Sequence, residues 1–329
     1  NVIAAMLFGA ISGSAVAAAS AIGGILGPPM EKEKYSKEFG AAINVSASTT
    51  GLIIPPSNVL IVYSLASGGV SIASLFLAGY IPGILMGLAL MLVAAVWIKK
   101  KKYPPGEKTS AKKIATTFLD ALPSLLLLVV VIGGIVSGIF TATEASGIAV
   151  LYTLILAIIY REINLNKLHK IFLSSVVTTS IVLLLIATSM GMSWVMSFEN
   201  IPQTVSDALL GLSDNKYVIL IIINLLLLFV GTFMDMTPAI LIFTPIFLPI
   251  MKSLGVDPVH FGMIMVMNLC VGLCTPPVGS VLFIGVGVAK TTIQKVMKPL
   301  LPLYIAMAII LLLVTYLPQI SLWLPGLFE

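Results

Sequence analysis

Long uninterrupted runs of apolar side chains, several of them near twenty residues or more, decide what this chain can become. A helix of about 20 such residues spans the hydrocarbon core of a bilayer, where each backbone N–H and C=O has to be paired within the segment. Of the 329 residues 59% are hydrophobic and 9% are charged, with a mean hydropathy of +1.12. A soluble domain carries roughly 25% charged residues, so a water-soluble globule is excluded. An outer-membrane barrel is excluded as well, because its strands read as short alternating segments. The expected fold is an all-α polytopic membrane protein embedded in the lipid bilayer.

The formal net charge of +5 does not indicate a nucleic-acid partner, since the basic residues gather in a few loops beside apolar runs. There they set orientation, because cytoplasmic loops collect Lys and Arg. Lys32, Lys34 and Lys37 mark one such loop; Lys99 to Lys102 with Lys108, Lys112 and Lys113 a second; Arg161, Lys167 and Lys170 a third; Lys290, Lys295 and Lys298 a fourth. The loops between them are neutral, as at Ser67 to Ser71, or acidic, as at Glu199 to Asp214. The apolar runs cover 1–29, 39–66, 71–98, 119–141, 143–160, 171–196, 216–251, 258–288 and 299–318. Charge alternates correctly only if 1–29 and 216–251 each enter and leave on one face. Both are therefore expected to be re-entrant hairpins, whose non-helical tips need shielding by protein or a water-filled cavity. The first opens toward the Lys32–Lys37 loop, the second toward the face of Asp214-Asn215-Lys216 and Lys252. Asn1 lies inside apolar sequence without a charged leader, and an N-terminal part is expected to precede it.

After each hairpin the same local sequence interrupts a span. Gly51-Leu52-Ile53-Ile54-Pro55-Pro56 recurs as Gly272-Leu273-Cys274-Thr275-Pro276-Pro277, and Gly9 and Gly231, expected at the hairpin tips, precede the two copies by nearly the same distance. This is expected to be an inverted repeat, the plan of many secondary transporters. Proline removes a backbone donor and clashes with the carbonyl one turn earlier, so each copy should break its helix. Carbonyls near Gly51 to Ile54 and Gly272 to Thr275 then lack helical partners, and a bound cation satisfies several at once. A proline kink relieved by neighbouring hydroxyls or water is the plainer alternative.

Polar residues at membrane depth add candidates. Ser12, Gly13 and Ser14 at the first tip offer hydroxyls and exposed amides suited to a carboxylate. Ser46, Ser48, Thr49 and Thr50 approach the first break, and Ser57 and Asn58 follow it; such hydroxyls also serve plain interhelical bonding. Asp235 at the second tip is the strongest single candidate, since a lone carboxylate there needs a cation, a proton or water. Glu144 is either functional or part of an interfacial turn. His169 and His260 are expected in solvated loops, and Cys270 and Cys274, one turn apart in apolar sequence, as packing residues. Without an HExxH, a serine–histidine arrangement at depth or a GxxxxGK[ST] loop, neither an intramembrane protease nor an ATP-driven pump fits, and no enzyme is expected.

Four stretches, Ser12-Gly13-Ser14, Gly51 to Asn58, Gly133 to Ala145 and Gly272 to Gly279, resemble the large membrane subunit of tripartite ATP-independent periplasmic (TRAP) transporters. The likeness runs over essentially the whole chain, without the family's usual N-terminal spans and with Ala142 where the family has proline. It implies an elevator in the bacterial inner membrane, driven by Na+. A periplasmic substrate-binding protein delivers a carboxylate, and a small membrane subunit extends the scaffold. One sodium is implied at Gly9, Ser12, Gly51, Ile54 and Pro56, with Gly9 able to offer only its carbonyl. A second is implied at Gly231, Gly272, Thr275 and Val278. The substrate carboxylate is implied near Ser12, Ser57 and Asp235, with Ser14 and Asn58 beside them. The corresponding division is 1–66 and 216–288 as hairpins with broken helices, 67–215 as mainly scaffold and connecting spans, and 289–329 as a final scaffold span. Sialic acid is the favoured cargo and a C4-dicarboxylate the other. A binding-protein-independent divalent-anion symporter, or a structural membrane subunit whose breaks serve packing, are the alternatives.

Overall fold

The computed structural model describes residues 1–103, 110–213 and 215–328, so Lys108 and Asp214 of the loops above lie outside the described residues. All regular elements described are helical. Seven helices among them are long and apolar enough to cross a bilayer. The chain separates into two compact units, residues 1–105 with 196–329, and residues 106–195.

The first unit is built around two helices buried almost throughout, α3 (Lys37–Thr50) and α12 (Pro258–Leu273). Their small residues, among them Ala41, Ala42, Ala47, Gly262 and Gly272, let neighbours approach closely, which is what holds helices together where lipid removes the hydrophobic drive. Ahead of α3 come α1 (Val2–Ser12) and α2 (Ala15–Lys32), joined through Gly13 in the left-handed region and Ser14, whose hydroxyl caps α2 by accepting from Ala17 N. Ahead of α12 come α10 (Lys216–Phe233) and α11 (Met236–Ser253), joined through Met234 and Asp235. Each pair packs on the helix that follows it.

Past α3 the chain makes tighter turns, with Leu52 N donating to Thr49 O at 3.1 Å and Ile53 N to Thr50 O at 3.1 Å. Pro55 and Pro56 end the ladder, and α4 (Asn58–Ala66) restarts it. Likewise α12 gives way after Leu273, Thr275 N donates to Gly272 O at 2.8 Å, and α13 (Ser280–Val288) follows the prolines. Both Pro–Pro peptide bonds are cis. The second halves pack across: α4 against α11 and α12, with the Tyr63 ring over Gly262 of α12, and α13 against α2 and α3, with Val45 over Gly285. Helices α5 (Ile72–Lys101) and α14 (Ile293–Tyr316) flank α3 and α12.

The second unit holds α6 (Ala111–Val136), α7 (Ala142–Ile159) and most of α8 (Leu165–Phe198). Tyr152 donates its hydroxyl to Pro123 O at 2.6 Å, joining α6 to α7. Thr141 and Glu144 form a reciprocal capping box that starts α7, which gives Glu144 its structural reading. The most apolar stretch of α8 buries nothing, the exposure a lipid-facing or partner-covered helix has.

Two boundaries differ from the sequence reading. Helix α6 begins at Ala111, because Ser110 caps it by accepting from Lys113 N. The acidic stretch read as a loop contains α9 (Ile201–Leu210), whose Gln203, Thr204, Ser206 and Asp207 hid a helix that lays Leu209 inward.

Candidate ion and substrate sites at two helix breaks

Each break is held against its own hairpin through a pair of glycines. A Cβ built on Gly51 would stand 2.7 Å from Gly9 Cα and 2.7 Å from Met6 O. One built on Gly272 would stand 2.5 Å from Gly231 Cα. Real Cβ atoms do not approach so closely, so only glycine lets these backbones touch. Gly9 and Gly231 are not at the tips themselves, as the sequence reading had them. They lie inside α1 and α10, roughly one turn before each tip, because the helices run on until Ser12 and Phe233.

The carbonyls divide into two sets. Gly9 O accepts from Gly13 N at 2.9 Å, Gly51 O from Ile54 N at 3.3 Å, and Leu52 O from the Ser57 hydroxyl at 2.6 Å. In the second break Gly272 O accepts from Thr275 N, and Cys274 O accepts the hydroxyl of Tyr304 on α14. Among the described residues no donor reaches the carbonyls of Ile53, Ile54, Leu273, Thr275 or Gly231. Such oxygens are hard ligands of the kind a small cation takes. The expectation that all break carbonyls are left open is thus corrected in part, because 3₁₀-type turns and two side-chain hydroxyls satisfy some of them.

Around the first tip the chain brings Ser12, Gly13, Ser14 and Asn58 together. A Cβ on Gly13 would lie 3.2 Å from the Asn58 amide carbon, and the Ser12 hydroxyl donates to Ser14 O at 3.3 Å. Asn58 is exposed, whereas Ser57 is buried and its proton is committed to Leu52 O. At the second tip Asp235 caps α11, accepting from Met236 N at 2.9 Å, and is exposed. It makes no hydrogen bond or ion pair with the first-tip group among the described residues. Gly279 N donates to Thr232 O at 3.0 Å, tying the second break to α10, while Val278 is exposed and the Thr275 hydroxyl turns back to Val271 O.

Residues 1–320 match the family model described as Tripartite ATP-independent periplasmic transporter, DctM component. The chain belongs to the DctM family. Among curated relatives, the uncharacterized protein YgiK of Salmonella typhimurium is 61% identical over 100% of this chain and 75% of its own length. The isethionate TRAP transporter permease protein DctMQ of Oleidesulfovibrio alaskensis is 42% identical over 98% of this chain and 51% of its own length. The C4-dicarboxylate TRAP transporter large permease protein DctM of Pseudomonas aeruginosa is 39% identical over 99% and 76% respectively. This DctM chain is therefore a multi-pass membrane subunit of a transporter, and those relatives whose names state a function are permeases, not enzymes.

Two features of this DctM chain escaped the sequence reading. His260 is not in a solvated loop: it sits in the first turn of α12, 2% exposed, with Nδ1 2.7 Å from Ser321 Oγ and Nε2 3.3 Å from Thr315 O. Its helix starts at Pro258, capped by Asp257, so the apparent loop before the apolar run is already helix. His169 is exposed, but on α8 and not in a loop. From Thr315 the polar contacts continue to Asn224 Oδ1, which accepts from Asn268 Nδ2 at 2.7 Å, all of it buried. Only long-range pairing reveals this chain of groups, since the partners lie on α10, α12 and α14. The two cysteines are free, buried packing residues, and they also form a seam: the Cys270 thiol donates to Thr49 O at 3.2 Å, and Cys274 Sγ lies 3.2 Å from Thr49 Oγ1.

Proposed function

We propose that this chain is the Na+-coupled permease subunit of a bacterial inner-membrane importer for an organic acid anion, working by an elevator movement of its two hairpins and two broken helices. The observation that carries the proposal is the doubled glycine contact: Gly9 on Gly51 and Gly231 on Gly272, each beside main-chain carbonyls that no donor reaches among the described residues. A chain that needed its breaks only for packing has no use for unpaired carbonyls at membrane depth, which cost free energy until something binds them.

The inverted repeat is supported by the seam. Thr49 and Cys270 touch and are 221 residues apart, and the two motif copies, Gly51 and Gly272, are separated by the same 221. Equivalent residues meet in this way where a two-fold axis relates two halves. On this reading 1–66 and 216–288 form the moving part, while 67–215 and 289–329 form mainly the scaffold. The first sodium is assigned to the carbonyl region of Gly9, Ser12, Gly51, Ile54 and Pro56, the second to Gly231, Gly272, Thr275 and Val278. Ile54 and Thr275 suit these roles best, having donor-free oxygens; the carbonyls of Gly9, Gly51 and Gly272 would offer their second lone pair.

The carboxylate is assigned to the first-tip group of Ser12, Ser14 and Asn58, with Asp235 and Ser57 lining the same path. Relatives are named for isethionate, for C4-dicarboxylate and, at 37% identity, for sialic acid, so the cargo class is an organic acid anion, within which sialic acid is one candidate. The family's tripartite description supports a periplasmic binding protein and a small membrane subunit as partners.

Reconstituting the three components in proteoliposomes tests the whole reading. Uptake should require inward sodium and the binding protein. Uptake in choline would overturn sodium coupling, and uptake without the binding protein would make the chain an independent symporter.

A further inference from the structure

Helix α3 carries four hydroxyl side chains before the first break, and three of them are satisfied within the seam or the helix. Ser46 donates back to Ala42 O at 2.9 Å, Thr50 to Ser46 O at 3.0 Å, and Thr49 bonds Ser46 O and Cys274. Ser48 differs. Its hydroxyl is fully buried and has no hydrogen-bond partner among the described residues. One turn earlier Asn44 is buried too. Its Nδ2 donates to Ala19 O at 2.6 Å, which fixes the amide and leaves Oδ1 without a partner. Gly23 makes room for this amide, since a Cβ there would lie 2.6 Å from Asn44 Nδ2.

The two open oxygens belong to one stripe of α3: Lys37, Ala41, Asn44, Ser48 and Gly51 recur at three- and four-residue steps and so share a face. Residues four apart on a helix have Cβ atoms about 5–6 Å apart, so one ligand can reach both oxygens. At one end the stripe meets Gly9 through Gly51. At the other it opens into a cavity of about 280 Å³ lined by Gly23, Gly27, Ser36, Lys37, Asn44 and Lys290. The positive charge at this mouth is partly answered, Lys37 lying 3.3 Å from Glu31. Between Asn44 and Gly51 the stripe is closed to solvent.

We infer that Asn44 Oδ1 and Ser48 Oγ form a transit site for a monovalent cation, standing between the first break and the Lys37–Lys290 cavity and serving as the release route of the first sodium toward the cytoplasm. The inference rests on the sodium-coupled reading. Two uncharged oxygens suit passage: each replaces a hydration water, while neither holds the ion by charge. The seven-residue separation from Asn44 to Gly51 is about 10 Å of helix, one intermediate step for an ion leaving the break.

The test uses the complete transporter, with its binding protein and small membrane subunit, in liposomes. Two quantities are measured: radiosodium exchange and the sodium dependence of the thermal unfolding midpoint. Ser48→Ala should slow exchange about fivefold, equivalent to about 1 kcal/mol of barrier, while leaving the sodium concentration for half of the thermal shift within about twofold of wild type. Asn44→Asp, which adds a charge and gives up the Nδ2 bond to Ala19 O, should tighten that concentration about fivefold. Ser46→Ala, whose hydroxyl is already bonded, should change neither. Unaltered exchange in folded Ser48→Ala overturns the transit site, as does a loss of exchange matched by an equal loss of sodium affinity, or an Asn44→Asp variant with unchanged sodium response. A wild-type protein whose thermal midpoint ignores sodium instead overturns the sodium-coupled reading on which the inference stands.

Discussion

At the scale of single residues the break glycines set the tightest tolerances in the chain. A methyl group on Gly272 would lie 2.5 Å from Gly231 Cα. Backbone cannot yield as a side-chain tip does, so Gly272→Ala should destabilise by about 1–3 kcal/mol. Gly24→Ala is the matched comparison: it lies in α2 with nothing within 4 Å of its added carbon, and it should be neutral or slightly stabilising. Thermal unfolding of both variants in detergent reads the difference directly. Asp235 obeys another logic. It caps α11 through Met236 N, so Asp235→Ala should cost about 1 kcal/mol of stability. Uptake, by the proposal, should vanish altogether. Asp235→Asn separates the two effects: it keeps a capping oxygen and removes the charge, so it should fold like wild type and still not transport. Full transport by Asp235→Asn would remove the carboxylate from the site.

At the scale of elements, what matters is where a helix stops and what its open ends meet. Pro276 lacks the N–H that would continue α12, and the donor-free Leu273 and Thr275 carbonyls follow from the interruption. Pro276→Ala restores an N–H that a continued helix aims at Gly272 O, one of the carbonyls assigned to the second sodium, and should weaken the sodium dependence of uptake while leaving expression intact. An unchanged sodium titration would dissociate the break from the ion. The buried polar chain offers a second test. Asn268 Nδ2 donates to Asn224 Oδ1 and to Ile264 O, so Asn224→Leu leaves one of its two buried N–H groups unpaired and should cost about 1–3 kcal/mol. Adding Asn268→Leu removes the stranded partner, and the double variant should recover part of that loss. A double variant that is less stable by the sum of the single effects would show the pair to be uncoupled. The break sequences and the hairpin lengths were readable in the linear chain, because proline and glycine act locally. Helix α9 was not, since a short helix with polar Gln203, Thr204, Ser206 and Asp207 has the composition of a loop.

At the scale of the whole molecule, replacing sodium by choline should abolish uptake into proteoliposomes carrying all components, and leaving out the binding protein should do the same. Membrane residence and family were both legible in the amino-acid sequence, for a physical reason: apolar length and glycine–proline punctuation act within a few turns of the same chain. The motif spacing suggested a repeat, and the contacts of Gly9 with Gly51 and of Gly231 with Gly272 came only with the fold. Which oxygens stay open did not follow from spacing. Ser57 carries a hydroxyl suited to a substrate, yet folding commits its proton to Leu52 O; Ser48, outwardly the same kind of residue, is left without a partner. His260 looked like a loop residue until α14 and the Ser321 turn closed around it. Hydrogen-bond satisfaction belongs to pairs, and those partners come from segments far apart in the chain. Local chemistry thus determined that this protein lives in a bilayer, bends at two proline pairs and carries polar groups at depth. Only the packing of α1, α10 and α14 onto α3 and α12 decided which of those groups are already satisfied and which are left without a partner among the described residues.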